Sequence, residues 1–399
     1  MHGNGSQTIV RSDQPDRKPR RCRAVATIVA CVAGLMVFQG CDLLITYWKD
    51  PSAYEPYQGL SEVKPYDNVC GRNLSDFADQ LDSTVIPTLT FDQETVWPPE
   101  DSAYAAYVME LGKNPGLGIR SLHAQGVTGT GVSVAIIEPW CNSTNPEYAD
   151  RIVEYHAVGD DPYDAQYSRW TPPSSAALGL LAGESVGTAP GVSVYMVVVS
   201  SVNYRDTYLT DALRWIVEKN TTLPAGNKIR VVSCSRTPQG PWNNSWDERE
   251  WLSARNRAEQ EGILVLDCTQ SSALVDACYH DLFSPDSLQL CGIGYPGEPS
   301  YLSSGRLYAP ASRRTVVNGP DTAGPRYKYV GSAAEMGWVS SGRLWTGVPY
   351  LAGVLALGWQ LRPDLTKEKM VELAFSSAYR KGNASIINPP TFIDSVRAQ

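Results

Sequence analysis

Two acidic side chains stand at strand ends, where catalytic groups are commonly presented. Glu138 closes the apolar run Val132–Ile137 (VSVAII), and Asp267 closes Ile263–Asp267 (ILVLD). A carboxylate in such a place can orient a base in nucleophilic hydrolysis, or it can accept N–H groups of the next loop and do no chemistry. Hydrolysis of that kind also needs a nucleophile, a base to take its proton and donors for the oxyanion. The chain has four histidines to offer as bases. His2 precedes a basic and apolar N-terminus, His123 falls in a helical stretch, His156 ends a strand two residues after Glu154, and His280 lies between Cys278-Tyr279 and Asp281. His280 is the best placed as an unorthodox base, although an ordinary packed or surface imidazole is the plainer reading for each. Without a histidine beside them, Glu138 and Asp267 read as carboxylates satisfied by backbone.

The cysteines do not suggest a metal site, since no C-x-x-C pair or Cys/His cluster with ligand spacing occurs. No acidic cluster resembles an EF-hand calcium loop, and no cofactor is expected. Beyond Cys41 there are Cys70, Cys141, Cys234, Cys268, Cys278 and Cys291, an even set that suits an oxidising compartment. Cys268, Cys278 and Cys291 crowd one stretch, so a local disulfide is expected there with its connectivity open. The N-terminus agrees: Arg17, Lys18, Arg20, Arg21 and Arg23 precede an apolar run, Ala24–Phe38, that is too short to span a bilayer alone. Gly40-Cys41 resembles a bacterial lipoprotein cleavage site with Cys41 as the lipidated residue, while Phe38 and Gln39 depart from the usual pattern. An uncleaved anchor reaching Tyr47 and simple secretion are the alternatives. All three place the body outside the cytoplasm, the first two attached to a membrane through a lipid or an anchor. The net charge of −8 supplies no basic field, so no nucleic-acid partner is expected.

The elements that must position these residues begin after residue 101. Residues 1–45 read as the export signal or anchor, and 46–101 as a linker and N-terminal extension rich in Pro, Tyr and Asp. Residues 102–385 form the folded domain and 386–399 a C-terminal tail. Helices are expected over Ser102–Leu111, Gly118–Gln125, Ser174–Ala182, Thr210–Lys219, Trp246–Glu261, Val348–Gln360 and Thr366–Ala378, with Thr366 as an N-cap. Strands are expected over Val132–Ile137, Val192–Val199, Ile229–Cys234 and Ile263–Asp267. Continuous apolar strands alternating with helices indicate an α/β fold with a mostly parallel sheet covered on both faces.

Three segments, in order, resemble landmarks of the subtilisin-like (S8) peptidase family. Gly126–Glu138 (GVTGTGVSVAIIE) is similar to the family's entry into its first core strand, which ends in the catalytic Asp. Leu178–Val199 (LGLLAGESVGTAPGVSVYMVVV) is similar to the end of the histidine helix, the G-V-A-P-G loop and the next strand. Trp345–Gly353 (WTGVPYLAG), followed by Arg362-Pro-Asp-Leu-Thr366, is similar to the nucleophile helix and the motif after it. The resemblance spans about residues 115–380 and implies a three-layer subtilisin-like fold.

It also implies a degraded triad. Glu138 takes the acid position, Pro173 the base position and Trp345 the nucleophile position, while Ser271 or Ser272 is nearest to the oxyanion asparagine. Proline carries no titratable group and indole no nucleophilic oxygen. Glutamate moves the carboxylate outward by about one C–C bond, in chemistry where a misplacement of about 1 Å matters. His280 and Thr346 are the candidate substitutes. The implied function is an exported pseudopeptidase that binds a peptide or protein segment in the cleft through main-chain hydrogen bonds. Val231–Pro241 resembles one wall of that groove, and Trp242, Trp246, Trp338 and Trp345 are aromatic candidates for its lining. The alternatives are an active serine endopeptidase with a relocated triad, or a structural envelope lipoprotein. Calcium enters by family analogy alone.

Overall fold

The computed structural model describes residues 61–138, 141, 143–159, 173–199, 207–235, 248–268, 274–293, 305–310, 315–318, 326–329 and 344–399. The N-terminal signal and Cys41 lie outside them, as do Ser271 and Ser272. The strands are β1 (Phe91–Asp92), β2 (Ser133–Glu138), β3 (Ile152–Val158), β4 (Ser193–Val199), β5 (Ile229–Cys234), β6 (Leu264–Asp267) and β7 (Val275–Tyr279). Next come β8 (Gly292–Ile293), β9 (Leu307–Pro310), β10 (Thr315–Asn318), β11 (Arg326–Tyr329), β12 (Tyr379–Lys381) and β13 (Ala384–Ile386). The helices are α1 (Pro99–Gly112), α2 (Ile119–Ala124), α3 (Pro173–Ala182), α4 (Thr207–Thr222), α5 (Glu248–Gln260), α6 (Leu344–Leu361), α7 (Lys367–Ser376) and α8 (Pro389–Arg397).

The central sheet is parallel throughout, in the order β3-β4-β2-β5-β6. Both faces of β2 are buried because its apolar run does not alternate with polar residues. Val134 and Ile136 enter the larger core with α3 and α6, whereas Ala135 and Ile137 enter a second core with α4 and α5. Helices on both faces of one sheet make the three-layer α/β architecture. The chain reverses its direction of winding at β2, between β4 and β5, so the carboxyl end of β2 is where such a sheet places a functional crevice.

The opposite, amino end of the sheet is tied down closely. Gln360 near the end of α6 accepts the N–H groups of Thr128 (2.8 Å) and Gly129 (2.7 Å) through Oε1, and its Nε2 donates to the Gly126 carbonyl at 2.8 Å. A Cβ on Gly353 of α6 would lie 2.7 Å from the Thr188 Cβ, so only glycine lets this helix approach that loop. Thr366 caps α7 by accepting the Lys369 N–H at 3.3 Å.

Two segments are more ordered than their sequence suggests. The described part of the extension buries Val69, Leu74, Ile86, Leu89 and Phe91 in the main core. Its strand β1 pairs antiparallel with β11, and Phe91 packs on Trp97 (centroids 5.0 Å apart) and Tyr329 (4.8 Å). The expected tail is in fact α8, which buries Phe392, Ile393 and Val396. Its apolar residues recur at helical spacing, and Pro389 and Pro390 in the first turn suit a helix start. His156 also needs correction, for it lies inside β3 rather than at its end. Among the described residues no helix is long and apolar enough to cross a membrane.

Candidate functional site

Glu138 is the last residue of β2, at the carboxyl edge of the central strand, and only 3% of it is exposed. Two thiols feel its charge. Cys141 follows the strand and is fully buried; its thiol is pushed far above the usual range, first by burial and then by the charge of Glu138. Cys268 follows β6 and is pushed up likewise, by burial first and then by Cys234, Asp267 and Glu138. Both thiols stay protonated near neutral pH, so neither offers the thiolate that a cysteine nucleophile needs. Tyr148 is buried beside Cys141 and Ser175, and burial raises its phenol as well.

Pro173 is the first residue of α3, at the position that the motif alignment gives to the base. Proline is well suited to a first helical turn, where its missing N–H costs nothing, but it has no proton to take or give. Trp345 and Thr346 lie in the first turn of α6. Glu138 thus ends β2, Pro173 opens α3 one residue before its expected start, and Trp345 lies in α6 three residues before the expected start at Val348.

The histidines are placed differently. The His123 Nε2–H donates to the Thr188 carbonyl at 2.9 Å, and burial lowers the pKa of its ring. His156 stacks on Trp215 with centroids 4.2 Å apart and planes 7° from parallel. His280 is buried in the loop after β7, its ring set against Gly116, where an added Cβ would lie 3.2 Å from the imidazole Cγ. Asp267 serves packing: its Oδ2 accepts the Trp251 indole N–H at 3.0 Å and pairs with Arg255 Nη1 at 3.4 Å.

A second buried carboxylate, unremarked in the sequence, sits ahead of β3. Glu147 is 4% exposed, and its Oε1 accepts the N–H groups of Ser185 (2.6 Å) and Val186 (3.1 Å). Its Oε2 accepts the Tyr327 hydroxyl at 2.7 Å, and Lys113 lies 3.9 Å above the Tyr327 ring. The signal was the turn Asn145-Pro146-Glu147-Tyr148 just after the first core strand. Among the described residues no group of three or more His, Cys, Asp or Glu side chains is arranged to hold a metal ion. The expected local disulfide is not formed either: the six described cysteines make no disulfide with one another.

No family model matches the sequence. The chain is 24% identical over 287 residues to the subtilisin-like protease PopC of Myxococcus xanthus (strain DK1622), an alignment covering 66% of this chain. It spans 58% of the length of that relative. Among solved structures it is similar to the prenylagaramide maturation protease PagA, at 14% identity and a TM-score of 0.47 over 71% of this chain and 99% of that one. It is also similar to fervidolysin from Fervidobacterium pennivorans, a keratinolytic enzyme related to subtilisin, at 15% identity and a TM-score of 0.49 over 70% of this chain and 45% of that one. The three ordered motifs and the parallel sheet they enter point the same way as the relative in Myxococcus: the chain is similar to subtilisin-like (S8) proteases and has an α/β fold with helices on both faces of a parallel sheet.

Proposed function

We propose that this chain is a pseudopeptidase, a subtilisin-like domain that engages a peptide or protein segment without hydrolysing it. One observation carries the reading: the acid-position Glu138 is buried among protonated thiols, while the base position, at the start of α3, is Pro173. A carboxylate in a triad acts by orienting an imidazole, and it contributes nothing when no imidazole stands between it and a nucleophile. Loss of a triad member leaves only about 10³–10⁴-fold catalysis over water, too little for useful proteolysis. Binding does not need the triad, because an extended segment can add to a sheet edge through main-chain hydrogen bonds. The segment that resembles the groove wall begins within β5, at Val231.

The N-terminal pattern adds a location to this reading: an exported domain held at a membrane through Cys41 or an uncleaved anchor. The experiment is to incubate the full-length protein with a fluorophosphonate probe and with a fluorogenic peptide library, then to measure retention of uncleaved peptides. No labelling, no cleavage and saturable retention are expected. Labelling that disappears in Thr346→Ala or His280→Ala would overturn the reading in favour of a relocated triad. Absence of both cleavage and retention would leave a scaffold role in place of peptide binding. Palmitate labelling lost in Cys41→Ser checks the membrane attachment.

A further inference from the structure

Cys278 and Cys291 lie on the strand pair β7 and β8, where Cys278 is opposite Ile293 and Tyr279 is opposite Gly292. Cys291 precedes β8 by one residue, and both cysteines are fully buried. Their side chains are hydrogen-bonded to each other. The segment they bracket docks on the entry to α2. The Pro285 carbonyl accepts the Leu117 N–H at 2.9 Å, Asp286 Oδ1 accepts the Gly118 N–H at 2.7 Å, and the His280 ring covers Gly116. Leu117 adopts a left-handed conformation (φ 52°) that a β-carbon disfavours, so it depends on this docking. Lys381 of β12 donates to the carbonyls of Gln289 and Cys291, holding the far end of the segment.

We propose that Cys278 and Cys291 are a paired modification site that closes to a disulfide, stapling the loop 279–290 onto the start of α2. The oxidant is a small-molecule or protein disulfide. The Cys291 thiolate attacks one of its sulfurs, the oxidant S–S bond breaks, and one thiolate leaves to take up a proton. Cys278 then gives up its proton and attacks the Cys291 sulfur, expelling the second thiol. Two protein thiols are oxidised and one disulfide is reduced to two thiols. The chemistry favours that direction of attack, since the hydrogen bond from Cys278 lowers the Cys291 thiol and Lys381 lowers it further, while burial and Cys291 raise Cys278. Access comes through β8, a two-residue strand at the sheet edge, the kind of element that opens locally at small cost.

The test uses the full-length protein in defined ratios of glutathione disulfide to glutathione, quenched with acid and N-ethylmaleimide, then digested and mapped by mass spectrometry. A cross-linked pair of peptides carrying Cys278 and Cys291 is expected, with a melting temperature about 5 °C above that of the reduced protein. Cys278→Ser with Cys291→Ser should abolish both the cross-link and the redox-dependent shift. Complete alkylation of both residues after oxidation, or linkage of either to another cysteine, would overturn the proposal. The readout involves neither peptide cleavage nor retention, so its outcome is independent of the pseudopeptidase reading.

Discussion

The two edges of the central sheet treat their buried polar groups in opposite ways. At the amino edge, Glu147 is saturated by two N–H groups and a phenol, Gln360 closes on three backbone groups, and Gly353 admits contact with Thr188. At the carboxyl edge, Glu138 lies beside the thiols of Cys141 and Cys268, and the first turns of α3 and α6 carry Pro173 and Trp345. Under the proposed function, the residues through which this chain resembles subtilisin-like peptidases are mostly those that pack the sheet, and the departures fall on those that would do chemistry. On that proposal, fold and activity separate because they depend on different ends of the same strands.

Breaking the amino edge should cost most. Glu147→Ala strands three donors in a buried site and is expected to destabilise the fold by about 4 kcal/mol, read from denaturant unfolding. Gly353→Val drives a branched side chain into Thr188 and should cost about 3 kcal/mol in the same assay, with some loss of near-UV circular dichroism. His123 gives a pH signature. Burial lowers its folded-state pKa below the ordinary value, so the fold favours the neutral ring and binds fewer protons than the unfolded chain. Its contribution is present above the unfolded pKa and lost as pH falls through the folded one. The melting temperature should therefore drop on going below about pH 6.5, less so in His123→Gln. Glu138→Gln should be mildest, about 1 kcal/mol or less in either direction and without effect on hydrolysis. A loss for Glu138→Gln as large as that for Glu147→Ala would erase the contrast between the two edges.

Four strands of the central sheet, β2, β4, β5 and β6, were legible because each is a mostly apolar run, and β5 matches its expected limits of Ile229 and Cys234, whereas β3 interleaves Glu154 and His156 with its apolar residues. Seven of the eight helices were legible to within about a turn, whereas α8 read as a tail. The shell around Glu138 was not legible. Cys141 and Cys268 follow different strands, and only the parallel crossovers bring both thiols to Glu138. β1 and β8 escaped notice for another reason: two residues cannot show a period. Glu147 looked like a turn residue because nothing local tells a solvated carboxylate from one that terminates a loop.

The strand β1 has a practical consequence for handling the protein. A shorter chain trimmed to begin at Pro99, as if the preceding residues were disposable, would leave the main-chain groups of Tyr329 and Lys328 without their partners Phe91 and Asp92. It would also uncover the aromatic face of Tyr329 that Phe91 now shields. An uncovered edge with an apolar face is a template for intermolecular strand pairing, so such a truncation should yield aggregates rather than a smaller soluble domain.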